Sequence, residues 1–264
     1  MNKDRKKTIH LIVHAHEGGF FSNFNKVTSY LNSTPDRVVK ITWNLQGNSY
    51  GAFAYSCGEV FGKLFKPFDL GEHVDDVIEL YSYNDTSYTG REVHDKYTLH
   101  QWRYDFNKTL EYFSPTPLLS SYIARLKNSN SPFTKKRVIG VLKRNDRLSC
   151  EQVSNRMPTL ESYFEEIDKL VDEGDPCLYL AVDNITDLQA FIEKYRNCIY
   201  NTMSRRSVRT SDEEPHFMPG DINDALSAYL EVYALSLCST FIHPISNMAT
   251  AALYFNPDLK SIYI

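Results

Sequence analysis

Two adjacent cations and a carboxylate, Lys143, Arg144 and Asp146, follow the apolar run "RVIGVL" in this 264-residue chain. Just past a strand, two neighbouring positive charges can neutralise a pair of phosphates, with an aspartate beside them to orient them. A second stretch, "YLAVDN", ends an apolar run on Asp183 and Asn184. Their side chains suit hydrogen bonds to a ribose or a base edge, and Asn184 suits a helix cap equally well. A third stretch, "FIHPISNMATAALYFNP", passes through His243 and Pro244 to Ser246, then into an alanine-rich run that stops at Asn256-Pro257. Ser246 is a natural N-cap, and the amides of Asn247, Met248 and Ala249 would stand at the positive end of the helix dipole. A diphosphate fits that geometry without a lysine-rich loop. Taken singly, each stretch also reads as an ordinary capped helix or a solvated charged turn.

Read together, all three lie where a strand gives way to a helix. The apolar run Ile9 to Val13 is β-branched, Gly18-Gly19 punctuates the chain, and Phe20, Phe24, Val27 and Leu31 then recur at helical spacing. A second strand is expected over Val38 to Trp43 and another near Val77 to Tyr81, which opens a βαβ unit with a parallel sheet. The stretch from Gly47 to Phe68 shows no assignable period. After the polar break "KNSNSPFTKK" the cycle restarts. Leu160, Tyr163, Phe164, Ile167 and Leu170 share one helical face, with Gly174 at the stop, and Ile185, Leu188, Ile192 and Tyr195 share another. This alternation predicts an α/β fold of two Rossmann-like domains facing a cleft, with mostly parallel sheets, divided into residues 1–130 and 131–264. In such sheets ligands bind beyond the carboxyl ends of the strands, where the polar stretches fall.

The bulk numbers exclude several classes. A formal charge of −4 provides no global basic field for nucleic acid or an anionic membrane. The run "TIHLIVHAH" is too short for a membrane span and lacks a signal-peptide pattern. Five cysteines without a C-x-x-C pair point to free thiols in a reducing compartment, so a soluble cytoplasmic protein is expected. Eighteen tyrosines suit polar, partly wet clefts such as sugar sites. No G-x-G-x-x-G follows a strand and no G-x-S-x-G elbow is present, which counts against a dinucleotide enzyme and a serine hydrolase.

The order "RVIGVLKRNDR", "LYLAVDN", "INDALSAYLEVYALSLCSTFIHPISNMATAALYFNP" resembles the carboxyl-terminal domain of fucosyltransferase-like glycosyltransferases. These are the nodulation and core α1,6-fucosyltransferases and the protein O-fucosyltransferases, of GT-B-like fold. The match runs over about residues 115–264, and "GGFFSNFNKV" is similar to the glycine-asparagine turn that opens those enzymes. The resemblance implies that the carboxyl-terminal half grips a nucleotide-sugar donor and the amino-terminal half holds a glycan or protein acceptor. Lys143 and Arg144 fall on the two signature arginines that contact donor phosphates, with Ser246 and Asn247 at the phosphate-side helix start. Asp146, Asp183, Asn184 and His243 fall to nucleotide binding. Val141 stands where the family has histidine, and Lys143 replaces an arginine, losing the two-pronged fork. The base and sugar therefore stay open, GDP-fucose and a UDP-pentose such as UDP-xylose among them.

The expected activity is a metal-independent glycosyl transfer, since no D-x-D sits at a strand end and no ligand cluster has metal spacing. Nothing beyond the GDP- or UDP-sugar substrate is expected as a cofactor. An inverting displacement needs a base beside the acceptor hydroxyl, and His16 and Glu17, after the first strand, are the candidates, while His14 reads as strand-internal. A nucleotide-sugar-binding protein without catalysis is the alternative, because the signature histidine is missing.

Overall fold

Alternation decides where β1 (Thr8–His14) sends its side chains: Ile9, Leu11 and Val13 are buried, whereas His10, Ile12 and His14 share the other, half-buried face. The computed structural model describes residues 6–14, 20–44, 57–81, 99–129, 131–135, 137–144, 158–171, 177–202 and 222–264. His16, Glu17, Asp146 and Gly174 lie outside the described residues.

The chain forms two units. In the first, β1 is followed by α1 (Phe20–Ser33), β2 (Arg37–Asn44), α2 (Cys57–Leu64), β3 (Phe68–Asp69) and β4 (Asp76–Leu80). The sheet order is β3-β2-β1-β4. β1 runs parallel to β2 and to β4, and β3 is antiparallel to β2. Because β2 lies on one side of β1 and β4 on the other, the direction of winding reverses between β1 and β4. That reversal is a topological switch point.

The core of this unit is aromatic. Phe61 stacks on Trp43 at 3.9 Å and on Phe20 at 4.7 Å, and Phe24 meets Phe113 at 4.5 Å. This packing accounts for α2, which the aperiodic stretch from Gly47 to Phe68 did not announce: Phe61 and Leu64 are fully buried. The expected stripe on α1 is present, but burial also takes in Asn23, Asn25 and Lys26. The Lys26 ammonium donates to the main-chain oxygen of His14 at 2.8 Å, at the end of β1. The later part of α3 (Leu99–Lys108), the 3-10 turn Thr109–Tyr112, the start of α4 (Pro117–Leu126) and the first turn of α8 (Ile222–Ser236) also belong to this unit.

The second unit takes the remainder, including α5 (Pro132–Lys135), β5 (Val138–Lys143), α6 (Leu160–Leu170), β6 (Cys177–Val182), α7 (Ile185–Lys194) and β7 (Cys198–Tyr200). Most of α8 follows, then β8 (Thr240–His243), α9 (Asn247–Phe255) and β9 (Lys260–Tyr263). Its sheet is parallel throughout, in the order β7-β6-β5-β8-β9, so the switch point falls between β5 and β8. β5 is buried along its whole length, as a central parallel strand must be. Ile139 and Val141 pack with Tyr163 and Ile167 of α6 and with Leu188 and Phe191 of α7. On α7 the buried stripe runs Leu188, Phe191, Tyr195, and Ile192 is exposed, one position away from the expected face. The ladder from β5 to β6 continues to Lys143 opposite Val182, but the ladder from β5 to β8 ends at Val141 opposite Ile242.

Gly140 faces α8 with no room to spare. A Cβ there would stand 3.0 Å from the Cys238 sulfur and 3.1 Å from Leu235 Cδ2. Gly140→Ala is therefore expected to destabilise the fold by about 1–3 kcal/mol, the usual cost of overpacking. A lowered urea midpoint checks this, and an unchanged midpoint would mean that α8 shifts without cost. At the far edge, Arg103 donates to the Leu259 carbonyl at 2.8 Å and to the Ser261 hydroxyl at 2.6 Å, which fixes β9 to α3. Among the described residues, no helix is long and apolar enough to cross a membrane.

Candidate functional site

Strand alternation sets the geometry at the end of β5. Lys143 continues the face of Ile139 and Val141 and meets Asp187 Oδ2 on α7 at 2.6 Å, with 8% of its side chain exposed. Arg144, one residue on, turns the other way. Its Nη1 donates to the Met248 thioether at 3.0 Å, and its Nε lies 3.4 Å from Asp183 Oδ2. The two cations that are neighbours in sequence are thus directed to different helices.

Arg144 is the residue that joins strand ends. Asp183 follows β6, and Met248 sits in the first turn of α9, which follows β8. The expected cap at the start of α9 is present: Ser246 Oγ accepts from the Ala249 amide at 3.0 Å. That bond takes the Ala249 amide out of the set available to an anion. What remains at the helix start is the positive end of the dipole, beside a guanidinium held from two sides and one-third exposed. A planar, permanently charged fork at a helix N-terminus is suited to phosphate oxygens.

The other named residues divide around this point. Asn184 is buried, and its Oδ1 accepts from the amides of Thr186 at 2.8 Å and Asp187 at 3.2 Å, so its acceptor oxygen caps α7. Asp187 lies one turn on, where a carboxylate favours the helix start and also holds Lys143. His243 is buried, stacked on Phe241 at 4.5 Å, with Nδ1 3.0 Å from the Pro244 carbonyl oxygen. Asn247 is the first residue of α9. Tyr163 donates to the Leu142 carbonyl at 2.9 Å, and burial pushes its hydroxyl well above the usual tyrosine range, so it stays a donor. Val141, in the signature histidine's place, is fully buried in the apolar cluster and brings no polar atom.

The side chains of Asp187 and Met248 were not singled out in the sequence, where Met248 was named only for its amide at the start of the last helix. The first had a signal, since "NITD" places a carboxylate three residues after an N-cap. The second had none, because a methionine next to a helix start is normally a packing residue. Among the described residues, no group of three or more His, Cys, Asp and Glu side chains is placed to hold a metal ion.

No protein-family model matches the chain, and no curated protein matches it in sequence. Solved structures do match. The NodZ α1,6-fucosyltransferase co-crystallised with GDP aligns with a TM-score of 0.55 at 17% identity, over 96% of this chain and 93% of that one. The same enzyme soaked with GDP-fucose aligns at 0.55 and 14% identity, over 96% and 94%. The fucosyltransferase NodZ from Bradyrhizobium aligns at 0.55 and 15% identity, again over 96% and 94%. The chain has the fold of these enzymes, the GT-B-like α/β class with mostly parallel sheets that the sequence led us to expect.

Proposed function

We propose that this protein is a glycosyltransferase that moves a sugar, fucose or another such as a pentose, from a nucleotide-sugar donor to a glycan or protein acceptor. One observation carries the reading. Arg144 connects the end of β6, through Asp183, with the first turn of α9, through Met248, at the β5–β8 switch point. Ligands of open parallel sheets bind at that place in the topology. The fold shared with the NodZ structures supports the same reading.

In this proposal the carboxyl-terminal domain expected from the sequence, residues 131–264, binds the donor and the amino-terminal one, residues 1–130, binds the acceptor. As the bond from sugar to phosphate breaks, negative charge develops on the leaving diphosphate. Arg144 and the α9 dipole neutralise it as groups already in position, so no reorganisation is needed in the transition state. Lys143, tied to Asp187, adds positive charge to the same strand end. Asp183, Asn184, His243 and Asp146 surround the nucleotide, and Asn247 stands with Ser246 at the phosphates. His16 or Glu17 takes the acceptor proton in an inverting displacement. The donor is a GDP- or UDP-sugar, and the chain's own cations do the work that a metal does elsewhere.

Thermal-shift measurements with millimolar GDP, UDP and their sugars test this. At least one nucleotide is expected to raise the melting temperature. If neither does, the donor-site assignment fails. The buried, apolar Val141 favours one second reading, a nucleotide-sugar-binding protein without catalysis. A nucleotide that stabilises the chain while no donor in a panel is turned over selects that reading.

A further inference from the structure

The first unit has a switch point of its own, between β1 and β4, and it carries a side-chain cluster that the donor site does not use. His14 is the last residue of β1, and its Nε2 lies 3.0 Å from Glu79 Oε2 on β4. Tyr81, just past β4, donates its hydroxyl to the same carboxylate oxygen, and its ring stacks on the His14 imidazole at 4.1 Å and 9°. Lys26 braces the His14 main chain from α1. The arrangement is held together on its inner side and open on its outer side: Tyr81 is 56% exposed and the Glu79 side chain 43%.

The geometry points to a saccharide-binding subsite here, in which a neutral pyranose lies on the outer face of Tyr81 and donates hydroxyl protons to Glu79. Three features select that chemistry. One face of Tyr81 is backed by His14, so the ring offers its other face as a fixed platform for the C–H groups of a sugar ring. A carboxylate has about four lone-pair positions, so Glu79 can accept from neighbouring hydroxyls beyond His14 and Tyr81. The Tyr81 hydroxyl, and to a lesser degree His14, hold the Glu79 carboxyl below its usual range, so it stays an acceptor in mildly acidic solution. A phosphate would be repelled by the same carboxylate, which sets this site apart from the one at Arg144. The assignment of the bound sugar as the acceptor rests on the glycosyl-transfer reading; the binding itself does not.

Saturation-transfer NMR on the full chain, without nucleotide, provides the test, with the methyl β-glycosides of glucose, galactose, mannose and N-acetylglucosamine as probes. At least one glycoside is expected to give a transfer signal. Tyr81→Ala should abolish it, Glu79→Gln should weaken binding at least fivefold, and Tyr81→Phe should retain part of it through the ring. GDP and UDP affinities of the same variants should stay within twofold of the parent chain. Both side chains are largely exposed, so these substitutions leave the core intact. Silence from every glycoside with the parent chain, a signal that survives Tyr81→Ala, or nucleotide rather than sugar binding lost in that variant would each overturn the proposal. A chain that binds a glycoside through Tyr81 but no nucleotide sinks the donor-site reading and leaves this one standing.

Discussion

In the proposed donor site, Arg144→Ala is expected to lower the affinity for a nucleoside diphosphate roughly 10- to 150-fold, the effect of losing about 1.5–3 kcal/mol of charge-assisted hydrogen bonding. The guanidinium is the cation directed at α9, and its removal also leaves Asp183 without the ion pair it has at 3.4 Å. A carboxylate relieved of that pair repels the incoming phosphates and pushes the loss towards the upper figure. Arg144→Lys should recover only part of the affinity, because an ammonium keeps the charge and loses the fork. Arg144 is one-third exposed, so the fold survives both changes. Titration calorimetry with GDP and UDP at fixed ionic strength measures the effect, and an affinity that does not move removes Arg144 from the donor grip.

The second large effect is on stability. Asp187→Ala should destabilise the chain by about 3–5 kcal/mol, because it strands a charge in a place built for a pair. Lys143 has 8% of its side chain exposed and Asp187 18%, with 2.6 Å between the charged atoms. Replacing both partners by apolar residues, Lys143→Met with Asp187→Leu, should restore most of that loss, since a buried ion pair has little advantage over good packing. Urea unfolding of the single and double variants decides the matter. If Asp187→Ala unfolds with the parent chain, Lys143 reaches water unaided. The double variant also separates stability from ligand binding: a nucleotide affinity within twofold of the parent shows that Lys143 acts on α7, and a tenfold drop assigns it to the phosphates.

The places where sequence reading succeeded share a physical cause. Caps, helix faces and buried strands are local signals. Ser246 and Asn184 were legible as caps, and "RVIGVL" as a buried strand, from a few residues each. Lys143 and Arg144 were taken as one cationic pair because they are adjacent, although the twofold period of a strand already sends neighbours to opposite faces. Their separate directions were legible in the sequence once the strand was allowed to run to Lys143. The His14–Glu79 contact was not legible. It spans 65 positions and depends on the parallel register of β1 with β4, which no local pattern encodes. The eighteen tyrosines suggested wet clefts, but composition does not say which side of a helix a ring occupies, and Tyr163 and Tyr254 are fully buried.

The unequal ladders of β5 have a consequence for anyone wishing to alter this protein. Its pairing with β8 stops at Val141 while its pairing with β6 goes on to Lys143. The parting of those two strand ends is therefore a feature of the main-chain pairing. Exchanges at positions 144, 183 and 248 should change the charge and polarity of the opening without changing its span, which makes ligand preference and architecture separate engineering variables.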